Sequence, residues 1–375
     1  MRDVIYYVQM YNEIHKFATI PSASESEVWS GLATRSESGV GTKFGRLNSF
    51  AYFCLMERVD LVYLWVDGDD PEWQQRKREA MAECGRELPA QAVARGRFVD
   101  NQELRYSLRS VEKYAPWVGK VFIVTADQTP KWLNVAHPKV ELVSHSQILP
   151  SEYLPTFNSS AIEMALTRIE GLSERFLFAN DDMFFRCPVG PEFFYTPEGL
   201  PIARFARYIS TKESLYLGKV RNAQRLVAER FGGEYVRQPH HNVDAYLKSD
   251  VNACLEAFEA EAEATCSHRF RQEGEFHRSA WLYYALSQRR AVERVVGRYG
   301  AAGSVWERLG CRLRGRYCTD SAEIGIHRGR LAARLAHYNP RIFCLNDTER
   351  ASDREREEMG GLLERLYPEK SSFEL

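Results

Sequence analysis

The 375-residue chain lacks both a long apolar run and an excess of charge of either sign. No stretch approaches the roughly 18 apolar residues that indicate a membrane-spanning helix, and the first residues show no signal-peptide core. The 50 Lys and Arg residues nearly balance the 51 Asp and Glu residues, so the overall charge gives no indication of nucleic-acid binding. We therefore expect a cytoplasmic protein with no nucleic-acid partner.

Paired cysteine motifs are also missing. The eight cysteines are scattered and include no Cys-x-x-Cys pair, which argues against a zinc ribbon and against a disulfide framework. We expect reduced thiols. With 44% hydrophobic and 27% charged residues, the composition is that of an ordinary globular protein, long enough for one large α/β domain or two smaller ones.

The chain divides into three parts by its residue patterns. Residues 1–50 show weak periodicity and predict an N-terminal extension that is partly loop. Residues 51–200 alternate apolar runs with amphipathic stretches, which predicts an α/β half with a mostly parallel, Rossmann-like nucleotide-binding sheet. Residues 201–375 are predicted to form a mainly helical half that completes the active site. The predicted strands are Asp60–Val66, Lys120–Thr125, Val140–Val143 and Arg175–Ala179, and the predicted helices are Trp73–Cys84, Asn101–Tyr114, Ser159–Ile169, Val220–Phe231, Val251–Ala262, Phe276–Ser287 and Leu331–His337.

Two of the predicted strands end in acidic residues. Asp67-Gly68-Asp69-Asp70 follows the first strand, and Asn180-Asp181-Asp182 follows the last one in the α/β half. Ligands of such sheets bind at the carboxyl ends of the strands, and carboxylate oxygens suit Mg²⁺. Both motifs are also good turn sequences. The aromatic residues around Asp181 favour a metal site there, whereas turn and site remain equal alternatives for the motif after the first strand.

Other polar motifs have two readings each. Asn158-Ser159 is a normal helix N-cap, and a helix start can also bind phosphate. His240-His241 supplies either a general base or two surface histidines, and no Cys or acidic spacing around the pair matches a zinc site. Arg269 and Arg271 can clamp a phosphate or form a basic turn.

Together these stretches resemble the Stealth family of sugar-phosphate transferases, which includes bacterial capsular-polysaccharide hexose-1-phosphate transferases and the animal GlcNAc-1-phosphotransferase. The first family block resembles residues 60–71, and the second resembles the stretch from residue 103 to residue 185. The third is similar around His240-His241 and Arg269-Phe270-Arg271, and the fourth resembles Cys344-Leu345-Asn346-Asp347. Many relatives have His-x-Pro in the third block. Asn242 stands at the place of that proline, so the alignment leaves open which histidine corresponds.

The resemblance implies a glycosyltransferase-A-like fold, a UDP-sugar donor and a divalent metal, Mg²⁺ or Mn²⁺. It implies transfer of a sugar 1-phosphate, such as GlcNAc-1-phosphate or a similar hexose-1-phosphate, to an acceptor hydroxyl with release of UMP. The sugar C1–O bond stays intact. The expected acceptor is a carbohydrate, a surface or capsular glycan, which allows peripheral association with the inner face of the membrane.

We assign site residues on the resemblance and on residue chemistry together. Metal binding is assigned to Asp181, Asp182 and Asp347, and catalysis to His240, His241, Arg271 and Asp67. Substrate binding is assigned to Trp65, Val66, Gly68, Asp69, Arg105, Arg109, Asn158, Ser159, Glu163 and Arg269. Two alternatives stay open at this stage: a metal-dependent glycosyltransferase that releases UDP, and a non-catalytic nucleotide-sugar-binding protein.

Overall fold

The structure, a computed structural model, describes residues 58–85, 87–206, 213–296 and 317–375. The predicted extension at residues 1–50 lies outside these ranges. The strands are β1 Val59–Leu64, β2 Val121–Thr125, β3 Val140–Ser144, β4 Arg175–Asn180, β5 Met183–Phe185, β6 Ile202–Phe205, β7 Asp244–Leu247, β8 Val292–Val295, β9 Thr319–Gly325 and β10 Pro340–Asn346. The helices are α1 Pro71–Glu83, α2 Ala90–Val93, α3 Glu103–Tyr114, α4 His145–Ile148, α5 Ser159–Glu163, α6 Leu215–Phe231, α7 Lys248–Ala257, α8 Glu259–Cys266, α9 Ser279–Ser287, α10 Leu331–Tyr338 and α11 Asp353–Leu366.

The central sheet has five strands in the order β3-β2-β1-β4-β7. Neighbouring strands β3, β2, β1 and β4 are parallel, and only β7 at the edge runs antiparallel. The predicted α/β class with a mostly parallel sheet is therefore confirmed. The edge strand β7 comes from the part of the chain beyond residue 201, so residues from both predicted halves build this sheet.

The inner strands of this sheet are buried on both faces. Consecutive residues of β2, from Val121 to Thr125, are all buried, and so are four consecutive residues of β4. Since neighbouring residues of a strand point to opposite faces, such a run indicates that both faces are covered. Leu64 pairs with Asn180 in the register, so β1 and β4 end at the same edge of the sheet. The chain segments that follow them therefore start side by side.

A second sheet joins the two parts of the chain beside this edge. It has the order β5-β10-β9, in which β10 is antiparallel to β5 and parallel to β9. Cys344 of β10 pairs with Met183, and the N–H of Leu345 donates to the carbonyl of Asp182 at 3.0 Å. The sequence patterns did not predict β9 or β10. This sheet brings a late segment of the chain directly beside the acidic residues after β4.

The predicted elements of the α/β half exist with small changes. The ends of its four predicted strands shift by no more than two residues. The helix predicted at Ser159–Ile169 is shorter, because α5 ends at Glu163 and a 3₁₀ turn follows at Leu166–Arg168. The helix predicted at Val251–Ala262 is split into α7 and α8 at Phe258.

The end of the chain is held to α3 by a buried ion pair. The guanidinium of Arg109 donates to both carboxylate oxygens of Glu374, at 2.7 and 3.0 Å, and Arg105 donates to the same carboxylate. The Glu374 side chain is 1% exposed. Although burial opposes ionisation, hydrogen bonds from Arg109, Ser371 and Arg105 lower the pKa of Glu374 to about 2. The carboxylate is thus ionised in the folded protein at any ordinary pH.

We predict that Glu374→Gln lowers the free energy of unfolding by about 3 kcal/mol at pH 7, because it leaves the buried Arg109 guanidinium without its buried charge partner and with only the exposed carboxylate of Glu364 nearby. The folded-state pKa lies below the ordinary value of 4.5. The contribution of the carboxylate is therefore present above about pH 4.5 and is lost as the pH falls towards 2. Denaturant unfolding across this range should show a flatter pH dependence for the variant.

The matched control is Glu364→Gln, because Glu364 lies 3.5 Å from the same guanidinium with a side chain that is 57% exposed. An exposed pair contributes about 1 kcal/mol or less, so the control should unfold almost like the parent protein. Equal losses in the two variants would contradict the assignment of the buried pair.

Candidate active site

Carboxylates gather at the edge where β1 and β4 end. Asp181 and Asp182 directly follow β4. Burial raises the pKa of Asp181 well above its ordinary value, and the nearby carboxylates of Glu103, Asp182 and Asp100 raise it further. Burial likewise raises the pKa of Glu103 to about 8. A group of buried like charges of this kind favours either protonation or a bound cation.

The acidic group extends to the loop after β1. Burial raises the pKa of Asp100, and the neighbouring carboxylates of Asp67 and Asp69 add to the increase. The side-chain amide of Gln128 makes two hydrogen bonds with the backbone of Asp67. Its oxygen accepts from the Asp67 N–H at 3.0 Å, and its nitrogen donates to the Asp67 carbonyl at 2.9 Å. Asp70 caps α1 by accepting from the N–H of Trp73. The motif after β1 is thus a turn that also lines the acidic group, so the two alternatives are compatible.

The two histidines have different surroundings. The Nδ1 atom of His240 lies 2.8 Å from the hydroxyl of Ser321, and burial lowers the pKa of His240 to about 4. His241 lies beside Asp182. Burial raises the pKa of Asp182, and the neighbouring charge of His241 lowers it. One ligand atom each of Asp182, His241 and Cys344 lie within 4.8 Å of one another. His241 is therefore the histidine beside Asp182, whereas His240 lies near the carboxylate of Glu323.

A network of cations and carboxylates lies next to the histidines. Arg278 is ion-paired with Asp244 and lies 3.7 Å from Glu163. The Nζ atom of Lys219 donates to the hydroxyl of Ser160 at 2.7 Å. Burial lowers the pKa of His277 well below its ordinary value, and the charges of Lys219, Arg278 and His241 lower it further. The predicted residue Glu163 thus belongs to a network that reaches His241.

The start of α5 shows why its sequence motif has two readings. The side-chain oxygen of Asn158 accepts from the N–H of Ser160 at 3.0 Å, so Asn158 is the N-cap. Its amide nitrogen donates to Glu275 at 2.6 Å, which leaves this buried side chain fully engaged. Ser159 accepts a hydrogen bond from Arg271. The structure therefore brings together Ser159 and Arg271, both of them predicted site residues.

Four predicted residues have partners of a structural kind. Arg105 and Arg109 bind Glu374 at the end of the chain, and Arg269 forms an ion pair with Glu83 of α1. Asp347 accepts from the guanidinium of Arg356 at 2.8 and 3.2 Å, one bond to each of its oxygens. Trp65 is 5% exposed and differs from these four, because its indole lies beside Asp100 and lowers the pKa of that carboxyl. The site roles assigned to these residues stay predictions.

Several residues of the site did not appear in the sequence assignment. They are Arg97, Asp100, Glu103, Lys219, His277, Arg278, Glu323 and Cys344. Glu103 opens the second family block and Cys344 opens the fourth, so the resemblance carried a signal for these two. Asp100 lies in an irregular stretch before α3, where no local pattern distinguishes it from a surface acid.

The carboxylates after β4 fit a divalent cation. The Oδ1 atom of Asp182 is buried and has no hydrogen-bond partner among the described residues, while its Oδ2 accepts from the Cys344 thiol at 3.1 Å. Asp182 and Asp181 together provide oxygen ligands for a cation. The pKa of both carboxyl groups is raised, and the positive charge of a bound cation would lower it. Asp347, the third predicted ligand, has both oxygens occupied by Arg356.

A cavity of about 130 Å³ opens at the ends of β2 and β3. Arg76, Asp127, His145 and Phe157 are among its lining residues. Asp127 precedes Gln128, which binds the Asp67 backbone. Burial lowers the pKa of His145 to about 4, so its imidazole is neutral at pH 7. The cavity is thus one loop away from the acidic group.

The fold and site define an α/β protein with a group of buried carboxylates at the carboxyl edge of a mostly parallel sheet, where ligands bind in this class. Models of two conserved regions of one family match the chain: Stealth protein conserved region 1 at residues 57–83 and conserved region 2 at residues 97–203. The chain therefore contains two conserved regions of the Stealth family, which confirms the resemblance seen in the sequence.

Curated relatives carry the name exopolysaccharide phosphotransferase. The protein SCO2594 of Streptomyces coelicolor is 37% identical over 77% of this chain and 46% of its own length. A Nocardia farcinica relative is 36% identical over 84% of this chain and 61% of its own length, and CpsY of Mycobacterium tuberculosis is 33% identical over 83% and 57%. This chain thus matches about half to three fifths of the length of these relatives.

Among solved structures, the galactosyltransferase LgtC in complex with donor and acceptor sugar analogues aligns over 81% of this chain and 96% of its own, with 9% identity and a TM-score of 0.37. No helix in the described part of the chain is long and apolar enough to cross a membrane.

The approach of the Asp100 segment to the β1 loop depends on Gly68. The N–H of Gly68 donates to the carbonyl of Phe98 at 2.7 Å, and a Cβ atom at Gly68 would lie 2.1 Å from that oxygen. We predict that Gly68→Ala displaces the 98–100 segment and lowers the free energy of unfolding by about 1–3 kcal/mol. Denaturant unfolding measures the loss.

Gly218→Ala in α6 is the matched control, because nothing lies within 4 Å of its added Cβ. A glycine in the middle of a helix costs about 0.5–1 kcal/mol relative to alanine, so this variant should be more stable than the parent protein. Finding the two alanine variants equally stable would show that the contact with Phe98 does not constrain residue 68.

Proposed function

We propose that this chain transfers a sugar 1-phosphate from a UDP-sugar, UDP-GlcNAc or a similar UDP-hexose, to a hydroxyl group of a glycan acceptor and releases UMP. The names of the curated relatives, exopolysaccharide phosphotransferases, support this class of reaction. The chain matches only part of each relative, so the support concerns the region that they share.

One observation carries the proposal. The carboxylate of Asp182 lies beside His241 and next to that of Asp181, at the same edge of the sheet as the Asp67 loop. Phosphoryl transfer depends on positioning and charge neutralisation more than on covalent chemistry by the protein. A site with carboxylates for a cation, an imidazole and nearby guanidinium groups meets these requirements.

Asp181 and Asp182 would hold the divalent cation, Mg²⁺ or Mn²⁺, through their carboxylate oxygens. In the absence of a cation, burial raises the pKa of both carboxyl groups. When bound, the cation neutralises the negative charge of the diphosphate oxygens. Asp347 would join this set only after exchanging its two hydrogen bonds with Arg356. We therefore assign the main metal-binding role to the pair after β4.

We assign the acceptance of the proton from the acceptor hydroxyl to His241. It lies beside Asp182, whereas the Nδ1 atom of His240 is within hydrogen-bond distance of Ser321 and the pKa of His240, about 4, makes that imidazole a weak base. A positioned general base contributes about 10²–10⁴-fold to the rate. His240 then holds the loop that carries His241.

Positive charge for the phosphates comes from two arginines. Arg271 donates to the hydroxyl of Ser159, the first residue of α5, so its guanidinium lies beside a predicted substrate-binding residue. Burial lowers the pKa of Arg97 to about 10, against the attraction of Glu163 and two other carboxylates. Because this pKa is still well above 7, Arg97 is positively charged at pH 7. We therefore add Arg97 to the residues that neutralise the phosphate charge of the UDP-sugar.

The cavity bounded by Arg76, Asp127 and His145 is the place we assign to the uracil ring. Its volume of about 130 Å³ suits one pyrimidine ring, and it is connected to the Asp67 loop through Gln128. The acceptor in this proposal is a surface or capsular glycan, and its synthesis places the chain in the cytoplasm at the inner face of the membrane.

The test is incubation of the chain with a panel of UDP-sugars, Mg²⁺ or Mn²⁺ and oligosaccharide acceptors, with nucleotide products separated by chromatography. We expect UMP, not UDP. Asp182→Asn and His241→Ala should each reduce UMP release at least about 100-fold, because one loses a cation ligand and the other the base. Mn²⁺ binding followed by electron paramagnetic resonance should weaken in Asp182→Asn only.

Asp353→Asn is the control for a change of one carboxylate, since that side chain is 90% exposed. It should keep the parent rate. Release of UDP would instead identify a glycosyltransferase that breaks the C1–O bond. A folded parent protein that binds UDP-sugars without turning over any of them would favour a non-catalytic binding protein.

A further inference from the structure

Three side chains with different ligand atoms meet beside the acidic group. Asp182 follows β4, His241 precedes β7 and Cys344 lies inside β10, so they come from three distant segments. Their ligand atoms all lie within 4.8 Å of one another, and the Cys344 sulfur is 3.1 Å from the Asp182 Oδ2 atom. Cys344 is 1% exposed. The cluster is therefore buried at Cys344 and partly exposed at Asp182 and His241.

The chemistry of these three atoms differs from that of a magnesium site. Mg²⁺ takes oxygen ligands, whereas a thiolate, an imidazole and a carboxylate together suit Zn²⁺ and Co²⁺. In a tetrahedral zinc site with such ligands, neighbouring donor atoms are about 3.5 Å apart. The distance of 3.1 Å between the Cys344 sulfur and the Asp182 Oδ2 atom is below this value, and the limit of 4.8 Å for the three ligand atoms exceeds it by about 1.3 Å, so small side-chain shifts would give the tetrahedral spacing. Three protein ligands also leave one position open, as in zinc sites that exchange a ligand.

The surroundings of the cluster favour a cation. The carboxylate of Glu323 is close enough to raise the pKa of both Asp182 and Cys344, and Asp181 adds a further negative charge beside Cys344. The buried Oδ1 atom of Asp182 has no hydrogen-bond partner among the described residues. An ion at this position would satisfy that oxygen and offset the negative charges around it.

We propose that Asp182, His241 and Cys344 form a site for a divalent transition metal of the Zn²⁺ type, and that occupation of this site inhibits the transferase. As the metal–sulfur bond forms, the S–H bond of Cys344 breaks and its proton passes to water, with no change of oxidation state. The bound metal takes the imidazole lone pair of His241 and an oxygen of Asp182. The inhibitory part depends on the function proposed above, whereas metal binding does not.

Cobalt provides a test of the site that needs no activity. Titration of the metal-free full chain with Co²⁺ should produce a thiolate-to-cobalt charge-transfer band that saturates at one equivalent of Co²⁺. Excess Mg²⁺ should leave this band unchanged. Cys344→Ser should remove the band, and His241→Gln should weaken Co²⁺ binding at least about tenfold. The matched control is Cys84→Ser, because Cys84 is the most accessible of the described cysteines and should not contribute.

Two results would overturn the site. One is a folded parent protein, verified by circular dichroism, that shows no charge-transfer band. The other is a band that persists in Cys344→Ser or disappears in Cys84→Ser. If Cys344→Ser does not fold, the loss of Co²⁺ affinity in His241→Gln decides instead, and unchanged affinity would exclude the site.

Inhibition is tested separately on the active enzyme. One equivalent of Zn²⁺ should suppress UMP release in the presence of Mg²⁺, and a chelator should restore it. A cobalt band with no effect of Zn²⁺ on turnover would overturn the inhibitory role alone. A chain with the band but without any transferase activity would overturn the proposed function and leave the metal site standing.

Discussion

The site depends on the burial of like charges at one edge of a sheet. Asp100, Glu103, Asp181 and Asp182 lie close enough to one another that each raises the pKa of a neighbour, on top of the increase that burial causes. Such an arrangement is unfavourable in an empty protein, since carboxylates in a poorly hydrated position repel one another. A bound cation would offset this repulsion, so we expect cation binding to stabilise the folded protein.

The surrounding structure is built to keep these charges together. The parallel pairing of β1 with β4 ends both strands at one edge, and the contact of Gly68 with Phe98 holds the Asp100 segment against the β1 loop. The second sheet adds Cys344 from the late part of the chain. Ion pairs such as Arg278 with Asp244 fix the neighbouring cations. Each contact limits the freedom of the carboxylates to separate.

A large part of the α/β half could be predicted from the sequence. Strands β1 to β4 and helix α3 follow clear apolar patterns, and the acidic motifs after β1 and β4 were predicted to lie at the carboxyl ends of the strands, where ligands of such sheets bind. The strands β9 and β10 could not be predicted, because their pairing joins residues 319–325 with 340–346 and both with β5. Long-range pairing of this kind leaves little trace in local periodicity.

The sequence by itself determined the α/β class, the resemblance to the Stealth family, the acidic pair Asp181-Asp182 and the Asn158 cap, because strand and helix patterns, turn chemistry and family blocks are local properties of the chain. Only the tertiary structure decided which histidine faces the acids, that Arg109 binds the end of the chain, and that Cys344 lies 3.1 Å from Asp182. The physical reason is that charge, burial and ligand geometry act over a few ångströms in space, between residues that the chain separates by up to hundreds of positions.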